Sequence, residues 1–287
     1  MKSWSFGRFA LVLSLAGGGC ALEPDLVIDE DSNEALTSNA LTSNALTSNA
    51  LTSNALTSNA LTSNALTSNA LTSNALTSNA LTALALDDPN QGVKAANVIK
   101  YSARCMLTAD QSVTVTYRDN QDVLQTKTFP GNLGLDPGWI DGALSATGRR
   151  WWAACLGAHI NAFGTPVSVS TRGPHASLTL TAVEADDYTI REGAFWAEYD
   201  PGAATALHIY SCYDPANSAA AYEDNRLCAN ESCGSMMTVV GPCLGQGSAC
   251  ESAHAPDAQV GDYFQACHIT PGAGSATGEV ITTNLTL

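Results

Sequence analysis

The amino-acid sequence predicts an α+β fold, a mostly antiparallel β domain with two helices and a disulfide-rich C-terminal half, behind a low-complexity segment. Two stretches carry apolar residues at helical spacing, and further stretches alternate apolar and polar residues as half-buried strands do. Eight cysteines follow residue 100, six of them within residues 212–267. Such a density of cysteines is typical of a stapled, loop-rich region.

Composition divides the chain into four parts. These are an export signal (1–20), an acidic linker (21–34), an ALTSN repeat spacer (35–83) and a folded domain (84–287), which is cysteine-rich from about residue 205. The last part has about 200 residues, enough for one sizeable domain or two small ones packed together.

Two helices are predicted from capping signals and apolar spacing. The first has Asp88 as N-cap and Pro89 as first residue, followed by the apolar positions Val93, Ala96 and Ile99. The second lies in SATGRRWWAACLGAHINAFG, with Trp151, Cys155 and Ala158 on one stripe and Gly164 as its stop.

Strands are predicted where period-two patterns lie between turn residues. A polar turn at Asp119-Asn120 lies between two such patterns, SVTVTY and DVLQTKTF. This arrangement favours a β-hairpin over a calcium loop. The other predicted strands are PVSVST, SLTLTAV, YTIREGAFWAEY, ALHIYSCY, MTVVGPC and EVITTNLTL.

Residues 35–79 are nine perfect copies of ALTSN. A step of five rotates each leucine by about 140° around a helix, and an odd period places successive leucines on opposite faces of a strand. Two interpretations remain: an extended, solvated tether, or a short β-solenoid. The frame Asn39-Ala40-Leu41-Thr42-Ser43 resembles the pentapeptide-repeat family, which implies the solenoid. In both cases the segment is a spacer.

The N-terminus has the pattern of an export signal. Lys2 and Arg8 flank its start, an apolar run covers residues 9–16, and AGGGCA follows. Cys20 resembles the lipidated cysteine of bacterial lipoproteins, although Gly17 stands where that family prefers leucine. The resemblance implies a lipid anchor in the outer membrane or at the cell surface. The alternative is cleavage after Ala21 and release into the medium.

An even number of cysteines behind an export signal predicts four disulfides. The eight are Cys105, Cys155, Cys212, Cys228, Cys233, Cys243, Cys250 and Cys267. Zinc is the competing interpretation, but the close pairs lack the short Cys-x-x-Cys spacing. By elimination Cys105 pairs with Cys155 and ties the two helices together, and the other pairings stay open.

Five segments of the folded part carry a resemblance: LDDPN, YSARCML, GNLGLDPGW, RRWWAACLGAHINAFG and YTIREGAFWA. They resemble segments of uncharacterised secreted and lipid-anchored proteins of myxobacteria, some of which have ALTSN-type repeats. The resemblance covers most of residues 84–287 and implies an exported envelope protein. It implies no activity.

Charge argues against nucleic-acid binding. Residues 84–287 carry 21 acidic and 10 basic residues, a net charge of −11, with no basic cluster beyond Arg149-Arg150. Phosphate backbones require clustered cations. We therefore expect a soluble acidic domain whose partners are the membrane, through its anchor, and a surface glycan or protein.

No common catalytic signature is present, and we predict no catalytic residue, metal or cofactor. Polar residues of the cysteine-rich half are the candidates for an acid–base or metal site: Glu251, His254, Asp257, Asp262 and His268. Short polar loops are expected there in any case. His208 and the pair Asp186-Asp187 are interpreted as structural residues.

Aromatic residues are the other candidates, because rings stack on sugars when exposed. They are Trp139, Trp151, Trp152, Trp196, Tyr210 and Tyr213. Core packing is the favoured interpretation. Trp151 and Trp152 point about 100° apart on a helix, so we expect one to face the core.

The sequence thus predicts a surface lipoprotein whose domain binds, adheres or scaffolds. The alternative is a secreted hydrolase with its site among Glu251, His254, Asp262 and His268. A delivered toxin or its immunity partner is a third class, without direct support in the sequence.

Overall fold

The computed structural model describes ten segments of the chain. They are residues 50–53, 86–160, 167–178, 180, 182–199, 207–216, 237–245, 247–251, 263–270 and 276–286. Several sequence predictions lie outside them: the export signal with Cys20, the acidic linker, the other repeat copies, Cys228, Cys233, His254, Asp257 and Asp262. These stay predictions.

A six-stranded sheet organises the domain, in the order β1-β4-β10-β5-β6-β7. Its strands are β1 (Ala50–Ser53), β4 (Val167–Arg172), β5 (Ile190–Tyr199), β6 (Leu207–Tyr213), β7 (Met237–Pro242) and β10 (Val280–Leu285). Neighbouring strands of this sheet pair antiparallel, except β6 and β7, which pair parallel. Two small sheets accompany it: β2 (Ser112–Arg118) with β3 (Leu124–Pro130), and β8 (Cys250–Glu251) with β9 (Ala266–Cys267).

One face of the large sheet carries the main core. Helices α1 (Gly92–Met106) and α2 (Ala146–Ala158) pack there together with the β2–β3 hairpin. Helix α2 approaches the sheet closely at Gly157, where a Cβ would lie 2.9 Å from Cγ2 of Ile209. The mixed α+β architecture and the hairpin confirm the sequence prediction at this level.

The ends of both predicted helices need correction. Helix α1 begins at Gly92 and not after Asp88, because the Asp88 carboxylate accepts from the Asn90 backbone N–H in a preceding turn. A side chain at Gly92 would collide with the Arg118 carbonyl at 2.1 Å, so the helix start packs tightly on β2. Helix α2 ends at Ala158, before Gly164.

A third helix begins at the end of a segment predicted to be a strand. The segment SLTLTAV was expected to be extended, but α3 (Ala182–Asp187) begins within it. Glu184 of α3 is buried and accepts a hydrogen bond from Ser170 Oγ of β4 at 2.5 Å. This contact joins two elements and favours the helix, and a local sequence pattern does not contain it. The described residues therefore hold three α-helices and not two.

The opposite face of the sheet carries a second, smaller core. Ala194, Trp196 and Val280 of the sheet pack there against Phe264 and the cysteines of the C-terminal half. The stapled region therefore shares its core with the sheet. No helix in the described part of the chain is long and apolar enough to cross a bilayer.

Candidate binding site on the outer face of the sheet

Three disulfides hold the described residues. Cys105–Cys155 joins α1 to α2, Cys212–Cys243 joins β6 to the residue after β7, and Cys250–Cys267 joins β8 to β9. The first is the pair predicted by elimination. The other two touch, with Sγ of Cys212 3.4 Å from Sγ of Cys250. The two remaining cysteines of the four predicted bridges, Cys228 and Cys233, lie outside the described residues.

The six cysteines that the structure describes all form disulfide cross-links. Two groups place potential metal ligands within 4.8 Å of one another, Cys105–Cys155–His159 and Cys212–Cys243–Cys250. Every cysteine in both groups is disulfide-bonded. Zinc binds the thiolate form of cysteine, which a disulfide sulfur does not offer. These groups therefore serve to cross-link the chain.

A strip of four side chains crosses β5, β6 and β7 beside the two touching disulfides. We call it the outer strip: Glu198, His208, Tyr210 and Thr238. Glu198 is opposite His208 in the β5–β6 register, and Tyr210 is opposite Thr238 in the β6–β7 register. Opposed residues and residues two apart on a strand share a face, so strand pairing brings the four together.

Tyr210 is the centre of the outer strip. Its ring stacks on Trp196, with centroids 6.0 Å apart and planes 22° apart, and lies 4.7 Å from the His208 ring. Trp196 is fully buried, whereas Tyr210 and His208 are half-buried. The tryptophan thus packs against the tyrosine from the neighbouring strand, and Tyr210 stays partly accessible.

Polar groups surround this ring. The Tyr210 hydroxyl donates to Glu198 Oε2 at 3.4 Å, and His208 Nε2 lies 2.8 Å from Thr238 Oγ1. Burial, the Glu198 charge and this hydrogen bond together raise the pKa of Tyr210 above its ordinary value. The hydroxyl therefore stays protonated at neutral pH. The strip offers a ring face, a carboxylate, an imidazole and a hydroxyl within one patch.

The other aromatic candidates are packing residues. Trp139, Trp151 and Trp152 are all buried, which confirms core packing. Trp152 faces the core as expected, and Trp151 is also buried, so the second tryptophan packs and does not form an exposed contact. Trp152 donates to Ser102 Oγ at 2.8 Å inside the core, while Trp151 is covered by His175 at 5.2 Å. Tyr213 lies three residues beyond Tyr210 on β6, on the opposite face of the sheet.

Of the five polar candidates in the cysteine-rich half, the structure describes two. The β8–β9 pairing brings His268 Nε2 to 3.5 Å from Glu251 Oε1. The Glu251 side chain is 64% exposed, and its carboxylate is accordingly well hydrated. His254, Asp257 and Asp262 lie outside the described residues. The pair is a weak surface ion pair when His268 is protonated.

A second acid–imidazole pair was not predicted. Asp136 and His175 interact near Trp151, and the Ser177 backbone N–H donates to His175 Nδ1 at 3.1 Å. Burial raises the pKa of Asp136, and the His175 charge partly offsets this. Burial lowers the pKa of His175, and Asp136 partly offsets that. No sequence motif links the two residues, because only the fold brings them together.

Comparisons of the chain with protein-family models, with curated proteins and with solved structures give no match. The functional proposal therefore depends on this chain's own residues.

Proposed function

We propose that this protein is an exported surface lipoprotein whose stapled domain, displayed on the repeat spacer, binds a glycan or protein of the cell envelope. The observation that carries the proposal is the partly exposed Tyr210 ring, which contacts the rings of Trp196 and His208. The domain in this proposal binds or scaffolds, and carries out no reaction.

Cross-linking supports the exported part of the proposal. Three disulfides within the described residues are typical of extracytoplasmic proteins, because reducing pools keep cytosolic thiols free. The predicted anchor at Cys20 and the predicted spacer over residues 35–83 support display of the domain at a membrane surface. A net charge of −11 for residues 84–287 suits a soluble domain in such a place.

The chemistry of the outer strip favours a polar ligand with an apolar ring face, such as a sugar. An aromatic ring that is already fixed loses little conformational entropy when it stacks on a ligand. Glu198 accepts hydrogen bonds, and Thr238 both donates and accepts them, so both suit hydroxyl groups. Aromatic platforms with few polar groups are the usual composition of small-ligand sites.

We expect Tyr210→Ala to weaken binding of an envelope oligosaccharide about tenfold. A stacked aromatic contact contributes about 0.5–1.5 kcal/mol beyond its buried area, which corresponds to a factor of up to about ten. The measurement is calorimetric titration of the full chain with soluble oligosaccharides released from the surface of the producing cell. Tyr210→Phe keeps the ring and should retain most of the affinity.

The matched control is Tyr213→Ala, which removes a tyrosine from the same strand but from the other face. It should leave the affinity unchanged. Equal losses in Tyr210→Ala and Tyr213→Ala would indicate a folding effect. Full affinity in a folded Tyr210→Ala protein would exclude the outer strip as the site.

A hydrolase is the second candidate, and the Glu251–His268 contact is the observation that favours it. Product analysis in the same titrations separates the two functions. Cleavage of an oligosaccharide that disappears in His268→Ala would support the hydrolase. Binding without cleavage, unchanged by His268→Ala, would support the binding function.

A further inference from the structure

The edge strand β1 is a piece of the repeat. Ala50–Ser53 belongs to the fourth of the nine ALTSN copies and pairs antiparallel with β4. The register joins Ala50 to Ser170, Leu51 to Val169 and Thr52 to Ser168. The repeat is thus a spacer that also supplies a strand to the folded domain.

The receiving edge on β4 is fixed independently of β1. Its other edge pairs with β10, and its side chains bond to the segment around α3. Ser168 Oγ lies 2.6 Å from the Tyr188 hydroxyl, and Arg172 donates to the Tyr188 carbonyl at 2.7 Å. A rigid, preformed edge is what an added strand requires, because the edge then loses little entropy on pairing.

The ladder between β1 and β4 cannot distinguish one copy from another. Strand addition draws its affinity from backbone hydrogen bonds and its specificity from alternate side chains. All nine copies share the same Ala-Leu-Thr-Ser sequence, and the part of the chain that the structure describes has one such β4 edge. Each chain therefore carries eight further copies of the sequence that forms β1.

We propose that the β4 edge binds a repeat copy from a second copy of this chain, so that neighbouring molecules link by exchanging ALTS strands. A copy in the same chain competes at an effective concentration of order millimolar. The eight further copies in each molecule raise the concentration of second-chain donors, and the predicted surface anchor would raise it further. The inference goes beyond the proposed ligand function and holds whether or not the outer strip binds a sugar.

The test uses two full-length variants and disulfide trapping. One carries Ser168→Cys on β4. The other carries Thr67→Cys, which occupies in the seventh copy the position that Thr52 has in the fourth. Antiparallel partners have Cα atoms about 4.5–5.5 Å apart, within the range that a disulfide spans. We expect a mixed dimer on non-reducing gels that increases with protein concentration up to about 1 mM.

Two controls make the result decisive. The first control mixes the Thr67→Cys variant with a Thr126→Cys variant in place of the Ser168→Cys variant. Thr126 lies on the exposed face of the β2–β3 hairpin, so this mixture gives the background of random collision. Thr52→Cys with Ser168→Cys in a single chain should form the internal bridge. A mixed dimer several-fold above background, reduced by an added ALTSNALTSN peptide, supports the proposal. A mixed dimer at background level overturns it, whether or not the internal bridge forms.

Discussion

Replacing both Cys105 and Cys155 by alanine is expected to lower the free energy of unfolding by about 4 kcal/mol. The bridge closes a loop with a sequence separation of 50 and joins α1 to α2 inside the main core. Opening it returns conformational entropy to the unfolded chain. Both sulfurs are fully buried, so the change also removes packing.

Urea unfolding of the oxidised full chain, followed by tryptophan fluorescence, measures this change. The matched control is Cys250→Ala with Cys267→Ala, whose sequence separation of 17 predicts a smaller loss of about 3 kcal/mol. Under strong reductant the wild type should lose more stability than the Cys105/Cys155 variant, because it has more bridges to lose. A change below about 1 kcal/mol in the oxidised variant would contradict the assigned role of this bridge.

Asp214→Ala is expected to cost about 3 kcal/mol, the second large effect. The Asp214 side chain is 2% exposed, accepts from Arg191 Nε at 2.7 Å and accepts from the Ala216 backbone N–H at 2.9 Å. Removing the carboxylate deprives a mostly buried guanidinium of its carboxylate partner, which typically costs 3–5 kcal/mol. We take the lower end because Arg191 keeps some contact with water.

The control for this effect is an exposed ion pair. Asp87 bonds Arg118 Nε at the same 2.7 Å, but the Asp87 side chain is 68% exposed. Asp87→Ala should therefore cost less than about 1 kcal/mol. Urea unfolding of both variants tests the difference. Equal losses at the two sites would show that burial does not govern the strength of the Arg191–Asp214 pair.

The sequence predicted the elements whose pattern is local. The hairpin turn is one case, since Asp119 Oδ1 accepts from the Gln121 and Val123 backbone N–H groups, as its sequence suggested. Predicted strands match β4, β5, β6, β7 and β10 within two residues. The third helix was missed because its support, the Glu184 contact to Ser170, comes from another element.

Strand pairing explains what sequence reasoning missed in the candidate site. Alternation shows that His208 and Tyr210 share a face of one strand, and that Trp196 and Glu198 share a face of another. Alternation does not show that the two strands are neighbours in the sheet, and it does not show in which register they pair. The parallel pairing of β6 with β7, which brings Thr238 beside His208, has no local signal either.

The repeat shows the same limit. Its composition contains no charge or aromatic residue and predicted a spacer. That one copy pairs with β4 depends on an edge formed by residues more than a hundred positions later. The choice between tether and solenoid concerns copies outside the described residues and stays a prediction.

Intact-mass analysis of the mature protein, from separated membrane and medium fractions, tests the central claim most directly. That claim is an anchored, exported and cross-linked domain. We predict a membrane form that begins at Cys20, carries acyl mass and takes up no alkylating reagent without reductant. An unmodified form in the medium that begins after Ala21, or free thiols in the native chain, would contradict it.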